Sequence, residues 1–174
     1  LLAIGMVALV MLLFLHSVRN SFIVLVAIPA SLVSTFIAMY ALGFTLNLMT
    51  LLGLSLVIGI LVDDSIVVLE NIYHHLENGE EQRAASLRGR NEIGFAALSI
   101  TLVDGVVFFP LSVVGGLIGN IMREFSLVIV AATLMSLFVS FTVTPLLASR
   151  FAKLERLTDR TLMGKFALGF EKLY

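Results

Sequence analysis

The sequence predicts an all-α, polytopic membrane helix bundle with five transmembrane helices. Three observations lead there. Of the 174 residues, 59% are hydrophobic and 13% charged, whereas a soluble domain is roughly half apolar and about a quarter charged; the mean hydropathy is +1.07. Uncharged stretches recur at lengths near the ~20 residues that carry a helix across about 30 Å of hydrocarbon. Finally, ten of the eleven Lys and Arg fall on one side of a five-span arrangement, with Arg123 alone on the other, which makes the first side cytoplasmic. The absence of cysteine excludes a disulfide scaffold and removes the usual thiolate zinc ligands. The apolar excess excludes a disordered chain. A net charge of -1 with no basic stripe leaves no footprint for nucleic acid.

The first span covers residues 1–18 and ends at Arg19. The chain opens at Leu1 inside an apolar run with neither Met nor a basic leader, so it reads as an excised piece and not as a signal peptide. The next uncharged territory, 20–62, is too long for one span. Gly43-Phe-Thr-Leu-Asn47 supplies turn residues where a reversal is needed, which places helices at about 21–42 and 48–73. A polar connector from His74 to Glu92, carrying Glu77, Glu80, Glu81, Arg83, Arg88 and Arg90, cannot lie in lipid. A fourth span at about 93–114 holds Asp104 and a kink at Pro110. After Gly115-Gly116-Leu-Ile-Gly119 a fifth span covers about 124–149. Residues 1–150 thus form the membrane bundle. The tail, 151–174, sets Phe151, Leu154, Phe166, Phe170 and Leu173 among basic residues, the pattern of an amphipathic helix on the cytoplasmic surface.

The strongest chemical signal is Asp63-Asp64, about 14 Å from the cytoplasmic end of a helix ending near Tyr73. A carboxylate at that depth costs on the order of 2.5 to 3.5 kcal/mol. Burial and the neighbouring like charge both favour the protonated form, so the pair is expected to act as a unit that takes up and releases protons. The bland alternative is a pair held neutral or satisfied by serines and water. Every Lys and Arg lies in a connector, at a span end or in the tail, so any counter-charge must come from another segment of the parent protein. Asp104 is an auxiliary candidate, expected to pair with protons or with Ser99 and Thr101. Glu70 reads as an interfacial anchor, His74 and His75 as solvated residues at a helix end, and His16 as a marker of the cytoplasmic interface. Gly115 to Gly119 has small-xxx-small spacing, but in an expected loop. No cofactor or metal grouping is indicated, and the coupling ion would be the proton.

The run Gly53-Leu-Ser-Leu-Val-Ile-Gly-Ile-Leu-Val-Asp-Asp-Ser-Ile-Val-Val-Leu-Glu-Asn71 closely resembles the fourth transmembrane helix of resistance-nodulation-division (RND) exporters of the hydrophobe/amphiphile, AcrB-like branch. Phe109-Pro110, Gly115-Gly116 and Arg123-Glu-Phe-Ser126 resemble the family's fifth-to-sixth helix passage, and Thr144-Pro145 the end of its sixth helix. The likeness spans the second to sixth helices, most of one half of the RND transmembrane domain. It implies a multi-pass protein of the bacterial inner membrane, exporting hydrophobic or amphiphilic compounds as a proton-driven multidrug antiporter rather than acting as an enzyme. It further implies a homotrimer, with a periplasmic adaptor and an outer-membrane channel as partners beside the lipid bilayer. By the same resemblance Asp63 and Asp64 carry the proton relay, and a lysine in the remaining half of the transporter is their counter-ion. Asp104 departs from the apolar residue the family would place there. Two rivals remain: a non-transporting membrane sensor or assembly subunit, and an intramembrane aspartyl protease in which Asp104 and Asp63 or Asp64 converge on one water.

Overall fold

The computed structural model describes residues 18–152, which form four long helices: α1 (Val18–Ala41), α2 (Leu48–Glu77), α3 (Gln82–Phe108) and α4 (Gly116–Phe151). All but the last residue of the predicted first span, and all but the first two of the 151–174 tail, lie outside the described residues. Each of the four helices is long and apolar enough to cross a membrane, and α1 and α2 match the spans expected at 21–42 and 48–73.

The α1–α2 turn is built as its residues dictate. Gly43 takes a positive φ of 73°, a conformation that costs glycine little. Asn47 then caps α2: its side chain accepts from the backbone N–H groups of Met49 and Thr50, while Thr50 Oγ1 accepts from the Asn47 N–H at 2.8 Å. The Asn47 side-chain Nδ2 donates to Glu124 on α4, tying the start of α2 to its neighbour. Asn47→Ala is therefore expected to lower stability by about 1 kcal/mol or more through the lost cap. Asn47→Ser, which still caps, should cost less and isolate the tie to Glu124; thermal melts of the detergent-solubilised protein would measure both.

Two boundaries differ from the expectation. The connector drawn from His74 to Glu92 is almost wholly helical, reduced to a turn over 78–81 in which Gly79 has φ 84°. Charge keeps this stretch out of lipid, yet Glu, Gln and Arg are good helix formers, so α2 and α3 simply continue into water. At the other end α3 stops at Phe108 and passes into a short 3-10 helix, Phe109–Val113, with Pro110 in its first turn. There the missing N–H costs nothing, so Pro110 ends the helix and does not kink it. The glycines expected in a loop instead start α4, eight residues before the anticipated 124: Gly116 has φ 87°, and a Cβ on Gly119 would stand 1.7 Å from the Val114 carbonyl oxygen.

Helix α4 packs against all three of the others, and its buried face explains how. Ser126, Ile129, Thr133, Ser136, Ser140, Thr144 and Ala148 are buried at three- and four-residue spacing, a row of mostly small side chains that lets neighbouring helices approach closely. Near the end that carries the α2–α3 turn, Ile23, Val24, Val68, Leu69, Ile72, Leu76 and Ala148 form the largest apolar cluster, with smaller ones around Val57, Leu61 and Ile129, and around Met39, Leu54 and Val128. Gln82 donates to the Ala152 carbonyl and fastens the start of α3 to the end of α4. Helix α3 is otherwise thinly packed: Ala85, Ser86, Gly89, Ala97 and Thr101 are its buried residues.

Candidate functional site

Asp64 lies midway along α2, about 20 Å of helix from Glu77. It is 7% exposed, packed towards α4, where the Ser136 hydroxyl is within hydrogen-bonding reach. That hydroxyl also approaches the Leu61 carbonyl at 3.4 Å. One turn further along α2, buried Ser65 accepts from Thr144 Oγ1 at 3.5 Å. The acid thus sits on a seam of small hydroxyls between two helices, and its Oδ2 is buried with no hydrogen-bond partner among the described residues. A carboxylate left in this way is costly, whereas the neutral acid has an O–H to donate.

Successive helix residues are rotated by 100°, so Asp63 leaves the bundle as Asp64 enters it. It is exposed, in the middle of a stripe made by Leu52, Leu56, Gly59, Asp63, Val67 and Glu70. Between Leu52 and Val67 that stripe is apolar apart from Asp63, and at Gly59, one turn before the acid, a Cβ would meet nothing within 4 Å. An ionised group at this depth does not face hydrocarbon. The stripe has the form of a docking face for a further helix, open next to the acid.

Asp104 is half-buried on α3, near enough to Asp64 to act on it electrostatically. The expected partners do not serve it: Ser99 and Thr101 donate to the carbonyls of Phe95 and Ala97, one turn back on their own helix, at 2.8 and 3.1 Å. Asp64 and Asp104 share no hydrogen bond among the described residues. Glu70 is exposed at the end of the open stripe nearer the α2–α3 turn.

His75 corrects the expectation of a solvated helix end. It is 9% exposed and bridges two carboxylates, Nδ1 to Glu80 at 3.1 Å and Nε2 to Glu92 at 3.0 Å. Since neutral imidazole carries one N–H, both contacts are donated only by the imidazolium. Arg88 adds a 3.0 Å bond to Glu80. Together His75 and Arg88 hold the Glu80 carboxyl below the usual glutamate range. The result is a clasp between α2, the turn and α3, completed by Asn71 donating to the Gly89 carbonyl at 2.7 Å. Both ring nitrogens of His75 are taken by this clasp. His74 is exposed, and His16 lies outside the described residues.

The hydroxyl facing the acid, that of Ser136, was not singled out from sequence, and Thr144 was read there only as part of the Thr144-Pro145 motif. The signal is the three- and four-residue recurrence of Ser and Thr from Thr133 to Thr144, which reads as one polar face in an otherwise apolar helix. The arrangement as a whole can exchange one proton at a buried acid without covalent change, beside a second, exposed acid.

Comparison with known proteins gives a consistent answer. The model of the AcrB/AcrD/AcrF family matches residues 1–174. The multidrug resistance protein MdtC of Pantoea ananatis (strain AJ13355) is 47% identical over 152 residues, covering 87% of this chain and 15% of that protein. MdtC of Photorhabdus laumondii is 42% identical over 176 residues, covering 99% and 17%, and MdtC of Escherichia coli O139:H28 is 44% identical over 165 residues, covering 95% and 16%. The chain therefore spans about one sixth of the length of these relatives.

Proposed function

The chain belongs to the AcrB/AcrD/AcrF family of RND transporters, and from that premise we propose that it is the proton-relaying half of the membrane domain of a multidrug exporter. It is part of a multi-pass protein of the bacterial inner membrane. Protons are the coupling ion, and hydrophobic or amphiphilic compounds move in the opposite direction.

The observation that carries this reading is the split orientation of the acid pair: Asp64 buried against Ser136, Asp63 on an open apolar stripe. A lysine from the remaining half of the transporter, docked on that stripe beside Gly59, is the counter-ion. Ionised, the pair draws this cation in. Protonated, it loses the attraction, and Asp64 rests on the hydroxyl seam as a neutral acid. The two pairings favour two packings of α2 against its neighbours, and this is the bistable element that a charge change can bias. Asp104 lies near enough to Asp64 to add negative potential there when ionised. The parent assembles as a homotrimer and works with a periplasmic adaptor and an outer-membrane channel.

The test uses the full-length transporter in proteoliposomes with a fluorescent amphiphilic dye. Dye movement is expected only when a proton gradient is imposed, with protons flowing in the opposite sense, and it should stop on adding a protonophore. Dye transport of equal rate without a gradient would overturn proton coupling.

A further inference from the structure

A second feature lies away from the acids, on the outer face between α3 and α4. Arg90, Gly94 and Leu98 on one helix and Leu134, Leu137, Phe138, Phe141 and Thr142 on the other line a groove of about 410 Å³. Its walls are apolar except at one end. There the Arg90 guanidinium lies 5.6 Å from the centroid of the Phe141 ring, and among the described residues it has neither a salt bridge nor a hydrogen-bond partner. Its Nε is buried and unpaired. Arg88, two residues away, is by contrast bound to Glu80.

Position along the helices sets the depth. Arg90 is eight residues, about 12 Å, into α3 from its cytoplasmic start, and Phe141 is ten residues, about 15 Å, from the end of α4. An arginine at that level keeps its stem in apolar surroundings and turns its head towards the lipid headgroups. Gly94 presents no side chain to the groove, and Leu98, Leu134 and Phe138 remain exposed along it. The groove therefore runs from an uncompensated cation at the cytoplasmic headgroup level towards the middle of the membrane, bounded by hydrocarbon side chains. One kind of molecule in the membrane has that complementary form, with an anionic phosphate at one end and a hydrocarbon chain at the other.

We propose that this groove is a binding site for an anionic phospholipid of the cytoplasmic leaflet, its phosphate on Arg90 and one acyl chain along Gly94, Leu98, Leu134 and Phe138. Basic pockets between membrane helices on the cytoplasmic side recognise such headgroups.

The experiment uses the full-length transporter in lipid nanodiscs, doped at equal mole fraction with phosphatidylglycerol or phosphatidylcholine carrying a photoreactive diazirine on the acyl chain. Crosslinked peptides are located by mass spectrometry. The phosphatidylglycerol probe should label 94–98 and 134–142 about fivefold more than the phosphatidylcholine probe, the preference a single basic residue at the membrane surface confers. Arg90→Gln should bring the two probes level, while Arg90→Lys, which keeps the charge, should retain most of the preference. Because each protein is compared across two lipids, a partial loss of folded protein cancels. Absence of labelling by both probes would mean that another part of the transporter covers the groove. Equal labelling by both, unchanged in Arg90→Gln, would mean ordinary bilayer lipid. Either result overturns the site.

Discussion

Asp63→Asn and Asp64→Asn are each expected to reduce drug export by the full-length transporter to that of vesicles lacking it, at unchanged abundance in the membrane. Asparagine copies the shape of the protonated acid and cannot release the proton, so each variant locks its position in one charge state. The two should separate in stability. Asp64 is buried with an unpartnered oxygen, so removing its charge relieves a cost of up to about 2.5 to 3.5 kcal/mol at membrane depth. Asp64→Asn should therefore melt no lower than the wild type, and higher where Asp64 is ionised. Asp63 projects onto a stripe that these four helices do not cover, so Asp63→Asn should leave the melting of this bundle unchanged while removing the attraction for a docked cation. Undiminished export in both variants would take the pair out of the mechanism and direct the search to Asp104.

The largest effect on folding is expected at Gly89. A Cβ there would lie 2.8 Å from both the Cα and the N of Ile72, backbone atoms that no rotamer change can move aside. Reaching the 3.4 Å of ordinary contact requires the two helices to part by about 0.6 Å, at the place where Asn71 and His75 clasp α3. Gly89→Ala is therefore expected to cost about 1 to 3 kcal/mol, the usual range for overpacking. Gly89→Leu should fail to accumulate as folded protein. Gly105→Ala is the control on the same helix: a Cβ there meets nothing within 4 Å, so the gain in helix propensity, up to about 1 kcal/mol, should raise stability. Size-exclusion profiles after heating would rank the three. A Gly89→Ala melt equal to the wild type would show that α2 and α3 cross more loosely than these distances state.

Much of this architecture was legible in the residues because it depends on local rules. Gly43 and Asn47 announce a turn and a cap, and the structure builds both. The acid pair was legible for a different reason: two carboxylates in an apolar run are anomalous wherever the chain folds. What could not be read was direction and partnership. Whether Asp63 or Asp64 faces the bundle depends on which side of α2 receives α4, a long-range fact with no local signature. The same holds for His75, whose partners Glu80 and Glu92 come close only because the turn folds α3 back along α2. The polar stretch from His74 to Glu92 shows the limit of that kind of reading, because its charge forbids lipid and says nothing against helix. Ser99 and Thr101 were sought as partners of Asp104 by proximity in sequence, whereas each returns its donor to its own helix, the ordinary habit of hydroxyls in membrane spans.

The length of α4 has a mechanical meaning. From Ser136, opposite the buried acid, the helix extends 20 residues outwards to Gly116 and 15 inwards to Phe151, arms of about 30 and 22 Å. Pro145, the helix's only interior proline, lies on the inner arm, so the longer arm is an unbroken rod. A tilt of about 5° pivoting at Ser136 would carry the outer tip about 2.6 Å sideways. A change in how two side chains meet at mid-membrane is thus geared up at the far surface, by leverage alone and with no joint along the way.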